Sequence, residues 1–181
     1  VVNNTIYFSA NDGSTGHELW AYNTSNETIW QAANMNPSTG SSPGFKLQIL
    51  VGDTIYFDAD TGAGTGRELW AHNISNLSTW RVTDIASGSA DSWPGTYMEI
   101  LVGDTLYFSS YEASSGYEMW AHNTSNLSTW RVKDISSSGS SNPGQYMSIL
   151  VGETIYFSAD DGNSGAELWA HNTFNLSLIH I

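Results

Sequence analysis

Short apolar segments separated by polar turns run along the whole chain. The segment QYMSILV at 145–151 is followed by a two-residue turn, Gly152 and Glu153, and then by TIYFSA from Thr154. Two β-rich segments joined by two residues predict a tight β-hairpin. AELWAHN and a segment of the TWRVKDI type follow after polar turns. Since helical periodicity is missing, the pattern predicts four short antiparallel strands in each repeat.

The four-segment pattern recurs with a period of about fifty residues. Its landmarks are two series of tryptophans, Trp20, Trp70, Trp120 and Trp169, and Trp30, Trp80 and Trp130. Four-stranded meanders at this period are typical of β-propeller blades. We therefore predict an all-β fold and a single repeat array, a β-propeller fragment with blades at 1–50, 51–101, 102–150 and 151–175. It would form an open arc of roughly 3.5 blades.

The repeated tryptophans have a structural interpretation. If the hairpin between them is regular, Trp70 and Trp80 face each other across two strands, and such a pair stabilises a sheet by about 0.5 to 1.5 kcal/mol beyond area burial. We expect all seven tryptophans of the two series to act as wedges between blades.

Composition narrows the range of partners. The chain has 181 residues, of which 40% are hydrophobic and 13% aromatic, and this content predicts a folded protein. Its formal net charge of −13 disfavours nucleic acid and anionic membranes. No apolar run approaches the ~20 residues of a membrane span, and the absence of cysteine excludes disulfides and thiolate metal sites. A protein or glycan ligand fits this composition better.

The repeat resembles a known family. FSADDGNSGAELW at 157–169 and VKDI at 132–135 are similar to the ELWxxDGT repeats. That resemblance implies a propeller-like fold in large secreted or cell-surface proteins. Asn73, Ile74 and Ser75 stand where the family has DGT after the ELW strand, so the resemblance does not imply the shape of this turn.

The last copy departs from the repeat at LSLIHI, residues 176–181. The pattern requires Thr and Trp where Leu178 and Ile179 stand. One reading frame of the mosaic-end adapter used in sequencing libraries would encode LSLIHI, and the chain begins with Val1 and not with Met. We expect 176–181 to be non-native and the chain to be a metagenomic fragment whose parent chain supplies further blades.

The loops between the second and third strands are candidate calcium sites. Asp58, Asp60, Asp160 and Asp161 precede glycines, and alternate oxygen ligands before a glycine are typical of hard-cation loops. The alternative is that these side chains bond their own backbone, as Asp does in turns. The third copy, SSYEASSGYE, has no Asp, so calcium would bind only some blades. No other cofactor is expected.

Two further series repeat once in each blade. The series are His72, His122 and His171, and Glu18, Glu68, Glu118 and Glu167. One metal ion needs several converging ligands, and acid–base catalysis needs two carboxylates in different environments. We interpret both series as framework and predict no catalytic residue.

Variation among the copies is concentrated at one end of the hairpins, because the Asp/Gly loops and the connections between blades lie on the same rim. We name the binding-rim candidates Asp60, Trp93, Tyr111, Glu112 and Asp160. They predict a non-catalytic, extracellular or cell-surface binding or adhesion module. Two alternatives stay open, a propeller domain of a secreted carbohydrate-active enzyme with its catalytic residues elsewhere, and a purely structural spacer.

The opposite rim carries N-glycosylation sequons. Their asparagines are Asn3, Asn23, Asn26, Asn73, Asn76, Asn123, Asn126 and Asn175. Asn and Ser are also good turn residues, so the same pattern fits plain turns.

Overall fold

The computed structural model describes residues 4–62 and 64–181. These residues form four antiparallel sheets and contain no helix. Sheet 1 consists of β1 (Thr5–Asn11), β2 (His17–Asn23) and β3 (Thr28–Ala33). Sheet 2 consists of β4 (Gln48–Val51), β5 (Thr54–Asp60), β6 (Arg67–Asn73) and β7 (Thr79–Arg81). Sheet 3 consists of β8 (Glu99–Val102), β9 (Thr105–Glu112), β10 (Gly116–Asn123) and β11 (Thr129–Lys133), and sheet 4 of β12 (Ser148–Val151), β13 (Thr154–Asp160), β14 (Ala166–Asn172) and β15 (Leu178–His180).

Each sheet is a simple meander in which the strands lie side by side in chain order. The predicted two-residue hairpins are confirmed. Val151 pairs with Thr154 around the turn, and Gly152 adopts a positive φ of 61°, which glycine reaches without steric cost. Residues 4–62 and 64–181 contain no helix that is long and apolar enough to span a membrane.

The sheets begin a few residues before the predicted blade boundaries. The predicted boundaries after residues 50, 101 and 150 fall within β4, β8 and β12, respectively. These strands hydrogen-bond forward to β5, β9 and β13, so each belongs to the sheet that follows it. The residues LSLIHI at 176–181 include β15, which pairs with β14 as the fourth strand of sheet 4.

The chain divides into two compact units, Val1–Asp91 and Ser92–Ile181. In the first unit, Leu19 of sheet 1 packs against Ile55, Phe57 and Ala59 of sheet 2, and Trp70 packs against the same cluster. The apolar positions of facing strands thus meet between two sheets, as blade packing requires.

The second unit repeats this arrangement between sheets 3 and 4. Met98 and Met119 of sheet 3 pack against Ile155 and Phe157 of sheet 4. Phe157 is completely buried, and burial of such a side chain stabilises a fold by about 1.5 to 3 kcal/mol.

The predicted facing of Trp70 and Trp80 is wrong. The register pairs Trp70 with Arg81 and Ala71 with Trp80, so the two indoles lie on opposite faces of sheet 2, because neighbouring residues of a strand point to opposite faces. The actual pairing is shifted by one residue from the register in which the two tryptophans would stand opposite each other. Trp20 and Trp30, and Trp120 and Trp130, follow the same register.

The wedge role of the indoles survives this correction in the second unit. Trp130 of sheet 3 and Trp169 of sheet 4 pack against one cluster between the two sheets. The second indole of sheet 3, Trp130, therefore faces the following sheet, and the first indole of sheet 4, Trp169, faces the preceding one.

Candidate binding surface

Buried glutamates anchor the connections between sheets. Glu118 is completely buried and accepts hydrogen bonds from the backbone N–H of Ile135 (2.9 Å) and Ser141 (3.0 Å) and from the Ser141 hydroxyl (2.7 Å). Glu18 accepts hydrogen bonds from the N–H groups of Met35 and Asn36 and from the Ser41 hydroxyl. Burial raises the pKa of Glu118, against the lowering effect of these donors.

The buried histidines also form part of the framework. His72 and His122 are completely buried, and their Nδ1 atoms lie 2.8 and 2.9 Å from the hydroxyls of Thr79 and Thr129. In sheet 4, Leu178 stands opposite His171 where the threonine would be. Desolvation lowers the pKa of His122 to about 4 and also lowers that of His72 and His171.

A second anchor holds the segment before the first strand in sheets 3 and 4. The hydroxyl of Ser109 accepts hydrogen bonds from the N–H groups of Tyr97 (2.8 Å) and Met98 (3.3 Å). Ser158 does the same for the segment before β12. Each of these serines fixes the variable connection onto the second strand of its sheet.

Sheet 2 has a carboxylate at this anchor position. Asp58 is completely buried, and its Oδ1 accepts from the N–H groups of Lys46 (2.7 Å) and Leu47 (2.9 Å). Its Oδ2 forms a 2.6 Å ion pair with Arg67, whose guanidinium also donates to the carbonyl of Ser42. Both oxygens of Asp58, a predicted calcium ligand, are therefore engaged by protein groups in the interior of sheet 2.

The other predicted calcium ligands lie in local turns. The Oδ1 atoms of Asp60 and Asp160 accept from the N–H groups two residues ahead, Gly62 (2.8 Å) and Gly162 (2.7 Å). Asp161 accepts from Asn163 and Ser164, and these bonds lower its pKa. Within 4–62 and 64–181, no three acidic or histidine side chains are grouped so that they could hold a metal ion. The turn alternative explains these aspartates.

Three tyrosines meet at the varied end of sheet 3. Tyr111 and Tyr117 are cross-strand partners, and their rings lie 5.4 Å apart at 59°. The ring of Tyr97 meets Tyr117 edge-on at 5.1 Å. All three side chains are partly exposed. We call Tyr97, Tyr111 and Tyr117 the tyrosine cluster.

Charged and polar groups lie beside the tyrosine cluster. Glu112, next to Tyr111, is 3.4 Å from Arg131 and from the Ser115 hydroxyl. The connection that carries Trp93 is bonded to the same strand, since the N–H of Tyr111 donates to the carbonyl of Ser92 (2.7 Å). Trp93 itself adopts a positive φ of 47°.

The structure brings together three of the five binding-rim candidates. Trp93, Tyr111 and Glu112 belong to one end of sheet 3, whereas Asp60 lies in sheet 2, in the other compact unit. Asp160 occupies the corresponding position of sheet 4, where its N–H donates to Ser141.

Sequence reasoning missed Tyr97 and Tyr117. The signal was present in the differences between copies. Lys46 stands at the position of Tyr97, and Arg67 and Ala166 stand at that of Tyr117. Only a known register shows that these positions adjoin Tyr111.

The opposite end of the hairpins is closed by repeated asparagine turns. Asn76 accepts from the N–H and hydroxyl of Ser78, and Asn73 accepts from Ser75 and Asn76. These contacts fit the turn interpretation of the sequons.

Comparison with known proteins bears on the fold alone. The chain matches no protein-family model and no curated protein. Solved structures similar to it include TolB from Acinetobacter baumannii (15% identity, TM-score 0.56, 98% of this chain and 40% of TolB). A putative TolB from Agrobacterium tumefaciens is similar at 14% identity and a TM-score of 0.58, over 98% of this chain and 60% of that protein.

A third similar structure is a puromycin-hydrolyzing peptidase from Mycobacterium tuberculosis, at 9% identity and a TM-score of 0.61, over 98% of this chain and 27% of the peptidase. The chain thus spans between 27 and 60% of the length of these proteins. The similarity lies in their β-propellers. It confirms the predicted β-propeller class for this chain.

Proposed function

We propose that this β-propeller chain is a non-catalytic binding module that recognises a neutral glycan or a protein surface through the tyrosine cluster. The observation that carries the proposal is that three tyrosines meet in sheet 3, whereas the same positions hold Lys46, Asp60 and Arg67 in sheet 2 and Tyr146, Asp160 and Ala166 in sheet 4. The proposal includes an extracellular or cell-surface location, as the resemblance to ELWxxDGT repeats implies.

Aromatic side chains suit such a site on physical grounds. Tyr has a rigid apolar body and a polar hydroxyl, so it gives a large contact area at a small cost in conformational entropy. The faces of Tyr111 and Tyr117 are tilted and not stacked flat against each other. A partly exposed pair of this kind leaves ring surface for a sugar ring or an apolar side chain.

Hydrogen bonds to the backbone position the segments around the cluster. Ser109 holds the backbone at Tyr97, and Glu118 holds the connection that follows β11. Pre-organised side chains lose less entropy on binding. The net charge of −13 favours neutral or cationic groups over anionic ones.

The repeated carboxylates support a non-catalytic role. Glu18, Glu68 and Glu118 are completely buried and accept backbone N–H bonds. A general acid or base has to reach the substrate within hydrogen-bond distance. These three residues instead hold loops.

The test compares binding of the chain and of a double variant, Tyr111→Asp with Tyr117→Ala, on an array of neutral glycans and against cell-surface extracts. The two substitutions install the residues that sheet 4 carries, Asp160 and Ala166. We expect binding by the wild-type chain and a loss of about tenfold or more in the variant, since removal of an aromatic anchor costs about 1.4 kcal/mol or more.

The matched control is Tyr146→Ala. Tyr146 corresponds in sequence to Tyr97, lies in the segment before β12 and is 72% exposed. Equal losses in both variants, or binding that is insensitive to the double variant, would contradict the assignment of the site.

A further inference from the structure

Sheet 4 presents an apolar face that no described residue covers. Ile149, Tyr156, Ala170 and Ile179 are successive cross-strand partners and therefore lie on one face. Sheet 3 packs against the opposite face, which holds Ile155 and Phe157. On the uncovered face, Ile149 is 51% and Val151 57% exposed.

The corresponding face of sheet 3 is a blade interface. Met98 and Met119 are 3% and 0% exposed there, because sheet 4 covers them. Met147 and Leu168 hold the same positions in sheet 4 and are 39% and 38% exposed. The uncovered face of sheet 4 thus has the composition and the register of a surface that the chain already uses for packing.

Sheet 1 offers the complementary kind of face. Ile6, Tyr22 and Ile29 are cross-strand partners, and they lie on the face opposite to Tyr7, which packs toward sheet 2. In sheet 2 the position of Ile6 is held by Ile55, which is buried against sheet 1. Ile6 and Ile29 are 37% and 59% exposed.

We propose that the uncovered face of sheet 4 binds the uncovered face of sheet 1 of a second copy of this chain. Such a contact would repeat the packing of sheet 2 on sheet 1 and of sheet 4 on sheet 3. The occupant follows from the repeat, because the chain itself carries both complementary surfaces. Two different patches meeting in this way form a heterologous, head-to-tail interface.

Particular contacts support the register of this interface. The ring of Tyr7 meets His72 at 5.7 Å, and that of Tyr107 meets His171 at 5.3 Å. Tyr156 holds the position of Tyr107, and Tyr22 that of the histidines. The docked copies would replace the Tyr–His contact by a Tyr–Tyr contact.

Charge also favours docking of these two faces. The apolar residues of the sheet 4 face are Met147, Ile149, Val151, Tyr156, Leu168, Ala170 and Ile179, and those of the sheet 1 face are Ile6, Phe8, Ala10, Trp20, Tyr22 and Ile29. The acidic residues in register with them, Asp160 and Glu18, lie at one end of each face, and Glu18 is buried and bonded to backbone N–H groups. The centre of both faces is therefore uncharged, although the chain has a net charge of −13. Contiguous uncharged apolar patches of this kind mark interaction surfaces.

Sedimentation velocity of the 181-residue chain over a wide range of concentrations tests the proposal. We expect the weight-average mass to rise above that of one chain. The double variant Ile149→Lys with Val151→Lys, and separately Ile29→Lys, should sediment as monomers, because a lysine ammonium would be desolvated at the interface. These positions are exposed, so circular dichroism should show unchanged folding.

A mixture of the two variants identifies the geometry. Each retains one intact face, so a head-to-tail contact predicts one-to-one dimers in the mixture and no larger species. Phe174→Lys is the matched control, since Phe174 is apolar and 81% exposed but lies in the turn between β14 and β15, and it should associate like the wild type. A wild-type chain that stays monomeric at every concentration overturns the proposal, as does association of Ile29→Lys alone or loss of association in the Phe174 control.

Discussion

Sheets 2 and 3 carry different kinds of side chain at the same three positions, charged in sheet 2 and aromatic in sheet 3. In sheet 2 they hold Lys46, Asp60 and Arg67, and Arg67 neutralises the buried Asp58. In sheet 3 they hold the tyrosine cluster, and an uncharged Ser109 replaces Asp58. The backbone bonds at the anchor are the same in both sheets.

This difference shows that the residue that anchors the backbone limits which side chains the variable surface positions can carry. A serine or an aspartate can accept from the two N–H groups, but an aspartate also brings a charge into the interior. A buried charge is costly unless it is paired, so Asp58 requires a cation and the third position becomes Arg67. Sheet 3 has no buried charge to neutralise, which leaves the same position free for an aromatic side chain.

Removal of the cation from sheet 2 should have the greatest effect on stability. Arg67→Ala leaves Asp58 buried without its ion pair, and we expect the free energy of unfolding to fall by about 3 to 5 kcal/mol. Urea denaturation measures this change.

The control for this prediction converts sheet 2 to the chemistry of sheet 3. The double variant Asp58→Ser with Arg67→Tyr keeps an acceptor for the N–H groups of Lys46 and Leu47 and removes both charges. We expect it to recover most of the loss, since neutral replacements of buried ion pairs are often close to neutral. A double variant as unstable as Arg67→Ala would show that the charge is not the reason for the pairing.

The framework that both sheets share should respond to pH. Burial lowers the pKa of His122 from 6.5 to about 4, so the unfolded chain binds a proton more readily than the folded chain in this interval. The contribution of His122 to the free energy of unfolding is largest above pH 6.5 and decreases as the pH falls toward 4. The decrease for His122 is about 1 kcal/mol between pH 7.5 and 5.5.

Denaturation of wild type and His122→Gln at pH 7.5, 6.5 and 5.5 checks this effect. The variant should show a shallower decrease, and His72→Gln should do the same in sheet 2, since the pKa of His72 is lowered as well. Parallel curves for wild type and both variants would mean that these histidines do not control the pH response.

The smallest expected effect concerns the tyrosine cluster itself. Tyr111→Asp removes one aromatic contact and installs the turn residue found at Asp60 and Asp160. We expect a loss of only about 0.5 to 1.5 kcal/mol in the free energy of unfolding, with a much larger relative effect on ligand binding. A larger loss of stability, measured by the same denaturation, would indicate a core position and not a binding surface.

The fold was predictable to the extent that it depends on local periodicity. The sequence around Gly152 and its copies identifies the two-residue turns, the strand segments and the fifty-residue repeat. The β-propeller class follows from these features. The register of the Trp hairpin is not predictable in this way. Which residues of the two strands pair on either side of the turn between Trp70 and Trp80 depends on the conformation of that turn, which includes a positive φ of 61° at Leu77. A shift of one residue in the pairing moves a side chain to the other face of the sheet.

The candidate surface was predictable only in part. Variation at Tyr111 and Glu112 is visible by aligning the copies, but the ion pair of Asp58 was not predicted, because its partner Arg67 lies nine residues away in the sequence. Their proximity arises from a cross-strand geometry that composition does not encode. The Lys46, Tyr97 and Tyr146 positions likewise become part of the surface only when the connection folds onto Ser109 and its equivalents.

The glutamate anchor of sheet 3 has a practical consequence for engineering. Glu118 grips the chain at Ile135 and again at Ser141, and between these two points residues 137–139 project into solvent, with open space around Gly139. A foreign peptide inserted there would be held at both ends by the same carboxylate, which makes this connection a natural grafting point for displaying new sequences on the protein.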